Sequence, residues 1–140
     1  MKSPEGDAFR AWQLLMRFFF SQREHLPACG ESLGLSPVQC HVLHLIEPGE
    51  PVPMNRLAEL MQCDPSNVTG LVDRLESRGL VRRQPSPADR RVKVVELTPM
   101  GSRLRTRLLR RVTARPLPLA RLGADDQRAL VKILERLLEK

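Results

Sequence analysis

The chain has 140 residues, 41% of them hydrophobic, with a formal net charge of +7 and three cysteines. That length supports one core rather than two independent ones. An odd cysteine count, a polar start from Met1 to Asp7 and the lack of any bilayer-length apolar run exclude a disulfide scaffold, a secretory leader and a membrane span, so a single cytoplasmic domain is expected.

Ser3 as N-cap and Pro4 at the first helical position open a helix expected to run until just before Pro27. Phe9, Trp12, Leu15, Met16, Phe19 and Phe20 form one wide apolar stripe, which holds four of the five large aromatic residues. One core of this size has limited room for them. The surplus reads as a dimer surface, with a ligand cleft as the competing use. Ser36, Pro37 and Gln39 form a capping box for a second helix carrying Val38, Val42, Leu43, Leu45 and Ile46, which stops at Pro48-Gly49. After the short run Pro51-Val52-Pro53 comes a third helix, Met54 to Met61, apolar at Leu57, Ala58, Leu60 and Met61.

The stretch from Asp64 to Thr98 organises the rest. Asp64 is placed as an N-cap with Pro65 at the first helical position. Val68, Leu71, Val72 and Leu75 recur at helical spacing, which leaves Ser66, Asn67, Thr69, Asp73 and Arg74 on the other faces. Gly79 is expected to end this helix as a left-handed cap, with Leu75 and Leu80 making the hydrophobic contact of a Schellman motif. Leu80 to Arg83 leads into a loop containing Pro85 and Pro87, and Val92, Val94, Val95 and Leu97 return from it, so a two-stranded basic hairpin is expected. Two helices joined by a tight turn, the second polar in its first turn and followed by such a hairpin, have the shape that fits duplex DNA.

Thr98 and Pro99 cap a helix with Leu104, Leu108, Leu109 and Val112 on one side and Arg103, Arg105, Arg107, Arg110, Arg111 and Arg115 on the others. It must end before Pro116. A last helix, Ala124 to Leu138, has Asp125 and Asp126 in its first turn and a stripe of Leu130, Ile133, Leu134, Leu137 and Leu138. The charge is uneven. Residues 66–98 carry seven basic and four acidic side chains, and residues 99–121 carry seven basic and no acidic ones. Such a localised basic zone favours a polyanion, most simply DNA.

The wing pattern Asp-x-Arg, three residues, Val-x-Leu-Thr is met by Asp89, Arg91, Val95, Leu97 and Thr98, and Val72 to Val81 reads VDRLESRGLV. With both motifs together the chain resembles the MarR family of winged helix-turn-helix transcription regulators. The resemblance implies a mainly α fold with a small β-hairpin wing across one domain, 1–140. In it, residues 36–98 form the DNA-binding lobe, and 1–35 with 99–140 supply dimerisation helices. It also implies a homodimer on a pseudo-palindromic double-stranded operator, acting most simply as a repressor.

Short polar side chains suit a helix end that meets base edges, which points to Ser66, Asn67 and Thr69, and Asn can read adenine bidentately. Arg74 is placed for a phosphate or an acidic neighbour. At the wing, Arg91 suits a narrow minor groove, Asp89 pairs with it or holds the turn, and Arg90 touches phosphate. Arg82, Arg83 and Lys93 are further phosphate candidates.

Family members often release DNA when a small molecule binds between the dimer region and the DNA-binding lobe. Trp12, Met16, Phe19, Phe20, His41 and His44 are candidates for such an effector cleft, with simple core packing as the alternative. Metal-responsive relatives draw ligands from the corner that here holds Cys29, Cys40 and His41, near Glu24 and His25, and from the helix after the wing, which offers no His, Asp or Glu here. No metal or other cofactor is expected. Cys63, at the turn before the recognition helix, is a site where oxidation would report on DNA binding. Nothing in the chain forms a Gly-rich phosphate loop, a nucleophile motif or paired carboxylates beside a histidine, so an enzyme is excluded. The rival reading is a winged-helix protein-interaction module without specific DNA binding.

Overall fold

The computed structural model describes residues 4–22, 30–114 and 118–139. Ser3, Glu24, His25, Pro27, Cys29, Arg115 and Pro116, which the sequence reading invoked, lie outside them. The elements in chain order are α1 (Pro4–Ser21), α2 (Pro37–Leu45), β1 (Val52–Pro53), α3 (Met54–Met61), α4 (Pro65–Ser77), β2 (Val81–Pro85), β3 (Lys93–Leu97), α5 (Pro99–Ala114), a 3-10 turn (Pro118–Arg121) and α6 (Ala124–Leu138).

The punctuation of the central lobe is as the residues dictate. Ser36 accepts the amide of Gln39, whose side chain takes the Ser36 amide in return, so the capping box is complete. At the end of α4 the Leu80 amide reaches Leu75 O at 3.0 Å and the Gly79 amide reaches Glu76 O at 2.8 Å, with Gly79 at φ 71°. Those two bonds are the Schellman pair, and they need a residue that tolerates positive φ. Asp64 is the N-cap of α4 by position, but its side chain makes no capping bond; its backbone carbonyl receives the amides of Asn67 and Val68.

The hairpin is part of a larger sheet. β2 and β3 pair antiparallel, from Val81 opposite Leu97 to Pro85 opposite Lys93. Val52 and Pro53 pair with Val95 and Val94 on the other side of β3, giving three strands in the order β1-β3-β2. A two-residue strand beginning next to a proline carries no periodicity of its own, and only its partner makes it a strand.

The core lies inside this lobe. Val42, Leu43 and Ile46, Leu57, Val68, Val72 and Leu75, Val81 and Val95 are essentially inaccessible to solvent. The side chains of α1 and α6 are placed otherwise. Phe9, Trp12, Phe19 and Phe20 stay more than half exposed, as do Ile133, Leu137 and Leu138. α5 is tied to the lobe by Leu104 and by Arg105, which the sequence reading had put on an outer face. The Arg105 guanidinium is buried against the C-terminal end of α2, donating to Leu43 O (3.1 Å), His44 O (3.3 Å) and Glu47 Oε1 (2.6 Å). A cation on the last carbonyls of a helix satisfies orphan acceptors and the negative end of its dipole at once.

The junction of sheet and α5 leaves no room for a side chain at Gly101. A Cβ there would overlap the carbonyl oxygen of Leu80 and lie 2.8 Å from its carbonyl carbon. Gly101→Ala is therefore expected to destabilise the fold by about 3 kcal/mol, read as a lower denaturation midpoint at unchanged slope. A loss below about 0.5 kcal/mol would contradict this packing.

Candidate nucleic-acid interface

The first two turns of α4 divide cleanly into two faces. Val68 and Val72 point into the core, while Ser66, Asn67 and Thr69 are exposed. Thr69 Oγ1 donates to Pro65 O at 2.9 Å, so its proton is already used. What it presents outward is an acceptor and a methyl group, which suits a base amino group or a thymine methyl. A Cβ added at Gly70 would meet no atom within 4 Å. That glycine answers no packing need and leaves the helix surface low beside Thr69. Arg74 is exposed further along α4, with no ion-pair partner among the described residues.

The wing tip is built by Asp89. Its Oδ1 accepts the Arg91 amide at 3.0 Å and its carbonyl accepts the Val92 amide at 3.0 Å, closing the turn. Its carboxylate is 3.9 Å from Arg91 Nε, too far for a firm hydrogen bond, and the Arg91 side chain is 95% exposed. Asp89 thus does both expected jobs, the turn firmly and the pairing loosely. Arg90 is exposed beside it.

Two of the phosphate candidates are committed elsewhere. Arg82 pairs with Glu96, its direct neighbour across the strands. Arg83 turns back onto α4 and binds Asp73 and Glu76. Lys93 remains at the surface, where it lines a depression of about 430 Å³ with Met54, Asn55, Thr69, Arg83 and Val92. This hollow joins α3, the exposed side of α4 at Thr69 and the wing. Asn55 is a contributor that the sequence reading missed; the available signal was a short polar residue in the first turn of α3.

The other candidates do not converge. Trp12, Met16 and Phe20 line one open depression along α1 with Phe9, Arg10, Gln13, Leu14 and Arg17, and His41 and His44 are not among its walls. Both histidines are exposed on α2. Partial desolvation, and secondly the nearby His44, pulls the His41 pKa below the usual imidazole value. Cys40 precedes His41, but among the described residues no three His, Cys, Asp or Glu side chains gather as a metal site. Cys63 is half-buried, its thiol donating to Met61 O at 3.3 Å. No helix among the described residues is long and apolar enough to cross a membrane.

The bonds from Arg83 hold the Glu76 carboxyl below the ordinary value of 4.5, first the backbone amide, then the guanidinium. A depressed folded-state pKa gives stability that is present above 4.5 and lost as pH falls through the folded value. Glu76→Gln is accordingly expected to cost about 1 kcal/mol near neutral pH, discounted for partial exposure, and the gap to wild type should close as pH falls below the ordinary value of 4.5. A pH-independent gap in urea titrations would show that the carboxylate charge is not what Arg83 holds.

Comparison with known proteins places this geometry in a family. The model of the MarR family matches residues 35–93. The transcriptional regulator YfiV of Bacillus subtilis is 44% identical over 66 residues, 47% of this chain and 41% of YfiV, so the chain matches less than half of that relative's length. CouR of Rhodococcus jostii RHA1, solved with p-coumaroyl-CoA bound, is 30% identical over 89% of both chains, with a TM-score of 0.80. A MarR family transcriptional regulator from Rhodococcus sp. RHA1 is 28% identical and covers 99% of this chain and 98% of its own, with a TM-score of 0.81.

Proposed function

The chain belongs to the MarR family, and on that premise we propose that it is a cytoplasmic, dimeric, sequence-specific DNA-binding repressor relieved by a small molecule. One observation carries the reading. A nearly fully exposed arginine, Arg91, stands on a turn fastened by Asp89, in the loop that joins β2 to β3 beyond a helix exposing Ser66, Asn67 and Thr69. The helix α4 lies in the major groove with those three side chains towards base edges, and Asn67 is the one able to make a bidentate contact with adenine. Arg91 enters the adjacent minor groove, where negative potential is greatest when the groove is narrow. Arg74, Arg90 and Lys93 meet phosphates, which set register and affinity but not sequence.

The second copy follows from the exposed apolar side chains of the first and last helices. Leu15 and Phe19 of α1, beside the depression, and Ile133, Leu137 and Leu138 of α6 form more exposed apolar surface than a monomer ordinarily tolerates. Burying them between two copies pairs the lobes by a two-fold axis and sets two recognition helices about 34 Å apart, on half-sites one helical turn apart. The effector is read as an amphipathic anion seated on the α1 depression. There Trp12, Met16 and Phe20 offer the apolar wall, and Arg10 and Arg17 the charge. The ligand named for CouR has that chemistry. Occupying this face changes the spacing of the lobes and weakens the complex.

Wild-type protein should enrich one duplex from a random-sequence pool and bind it far more tightly than its shuffled version. Arg91→Ala should lower affinity for the enriched duplex about thirtyfold, roughly 2 kcal/mol, and reduce the steepness of the salt dependence by about one counterion. Undiminished binding by Arg91→Ala would overturn the proposal and favour a protein-interaction module.

A further inference from the structure

We infer that Arg83 is a positioning residue that fastens the wing to the recognition helix and thereby sets the sequence selectivity of the protein. The inference rests on the DNA-reading proposal above and goes one step into its mechanism. Asp73 and Glu76 are three residues apart on α4, so their carboxylates rise from one face of the helix. Arg83 sits in the middle of β2, opposite Val95. Its Nη2 donates to Asp73 Oδ1 and, at 3.0 Å, to Glu76 Oε1, while its backbone amide donates to Glu76 Oε2 at 2.8 Å.

The amide bond makes this more than a surface ion pair. β2 is an edge strand, and an edge strand carries main-chain donors with no strand to receive them. Glu76 receives one of these, so the backbone of the wing and its side chain are both hooked to α4. The guanidinium is also only partly exposed, with 27% of its side chain accessible. Its single charge faces two carboxylates, which leaves no net positive charge at this point for a phosphate.

Leverage gives the clamp its consequence. The wing tip lies about 15 Å beyond Arg83 along the strands, so a tilt of about 10° at the base moves Arg91 by about 3 Å. A minor groove is about 6 Å wide, and a shift of half that width takes the guanidinium off its site while α4 stays in place. Thr69 and Lys93 line the same hollow as Arg83, so base reading and wing anchorage share one wall. Losing the clamp therefore decouples the two reading elements without removing either.

Charge sign separates positioning from direct contact. Arg83→Gln removes a positive charge and Glu76→Gln removes a negative one, so simple electrostatics predicts opposite effects on DNA affinity. Positioning predicts the same effect for both. In fluorescence anisotropy with the duplex enriched by wild-type protein, each variant should bind about tenfold more weakly, with the shuffled duplex changed by less than about twofold. The double variant should be no worse than the weaker single, and the salt slope should stay at the wild-type value. Arg83→Lys and Glu76→Asp keep the charges while altering the fit, so they carry the same test where a glutamine variant loses its fold. Binding by Glu76→Gln at or above wild-type affinity would overturn the inference. So would a salt slope reduced by about one in Arg83→Gln, the mark of a phosphate contact. Wild-type protein that enriches no sequence would overturn the DNA-reading proposal itself, and this inference with it.

Discussion

The corner at Gly79 and Leu80 is where the recognition helix, the wing and the long helix α5 are joined. Gly79 turns the chain out of α4 at φ 71°. The Leu80 carbonyl accepts the Thr98 amide at 3.0 Å, the Thr98 hydroxyl donates to Gly79 O at 2.5 Å, and that same hydroxyl accepts the Gly101 amide at 3.0 Å to start α5. Gly101 lies against the Leu80 carbonyl with no space for a methyl group. Four backbone segments thus share one network of short polar contacts beneath the buried Leu75, Leu80 and Leu97. The corner thus fixes where the strands leave α4, and the Arg83 bonds to α4 then hold the lean of the wing.

The arginines fall into two populations, and the division explains how one basic chain can be both well packed and open to a polyanion. Arg78, Arg83, Arg105 and Arg111 are used internally: Arg78 on the carbonyls of Leu33 and Gly34, Arg83 on α4, Arg105 on the end of α2, and Arg111 on Ser32. These act as struts between separate elements, and all but Arg83 reach segments distant in sequence. Arg74, Arg90 and Arg91 face outward from α4 and the wing tip. Guanidinium suits both tasks, because its planar set of donors fits paired carbonyls and carboxylates inside and phosphates or groove edges outside.

Much of this was legible in the sequence because its causes are local. The capping box at Ser36, the glycine turn after α4 and the Asp-x-Arg wing tip each depend on a few neighbouring residues, and the structure builds all three. What escaped sequence reasoning depends on how separate elements pack together. Val52 and Pro53 become a strand only because Val94 and Val95 lie beside them. Arg105 meets Glu47 58 positions away, so a run of alternating arginines reads as solvated until the fold supplies the end of α2. Arg83 looked like a phosphate ligand because its neighbour Arg82 and the basic tip set the context; the Asp73 and Glu76 pair seven to ten residues earlier was the available clue. His41 and His44 failed to join the α1 depression for a similar reason, since spacing within α2 says nothing about where α1 lies.

On the proposed function, α4 and Arg91 act as one rigid reader, present twice in a symmetric dimer. Hydroxyl-radical footprinting on the duplex enriched by the wild-type protein tests it most directly. Two equivalent sets of protected sugars related by a two-fold axis are expected, with centres about one helical turn apart, and with a flanking minor-groove protection on each side that disappears in Arg91→Ala. A single asymmetric footprint, or flanking protection that survives the loss of Arg91, would contradict it.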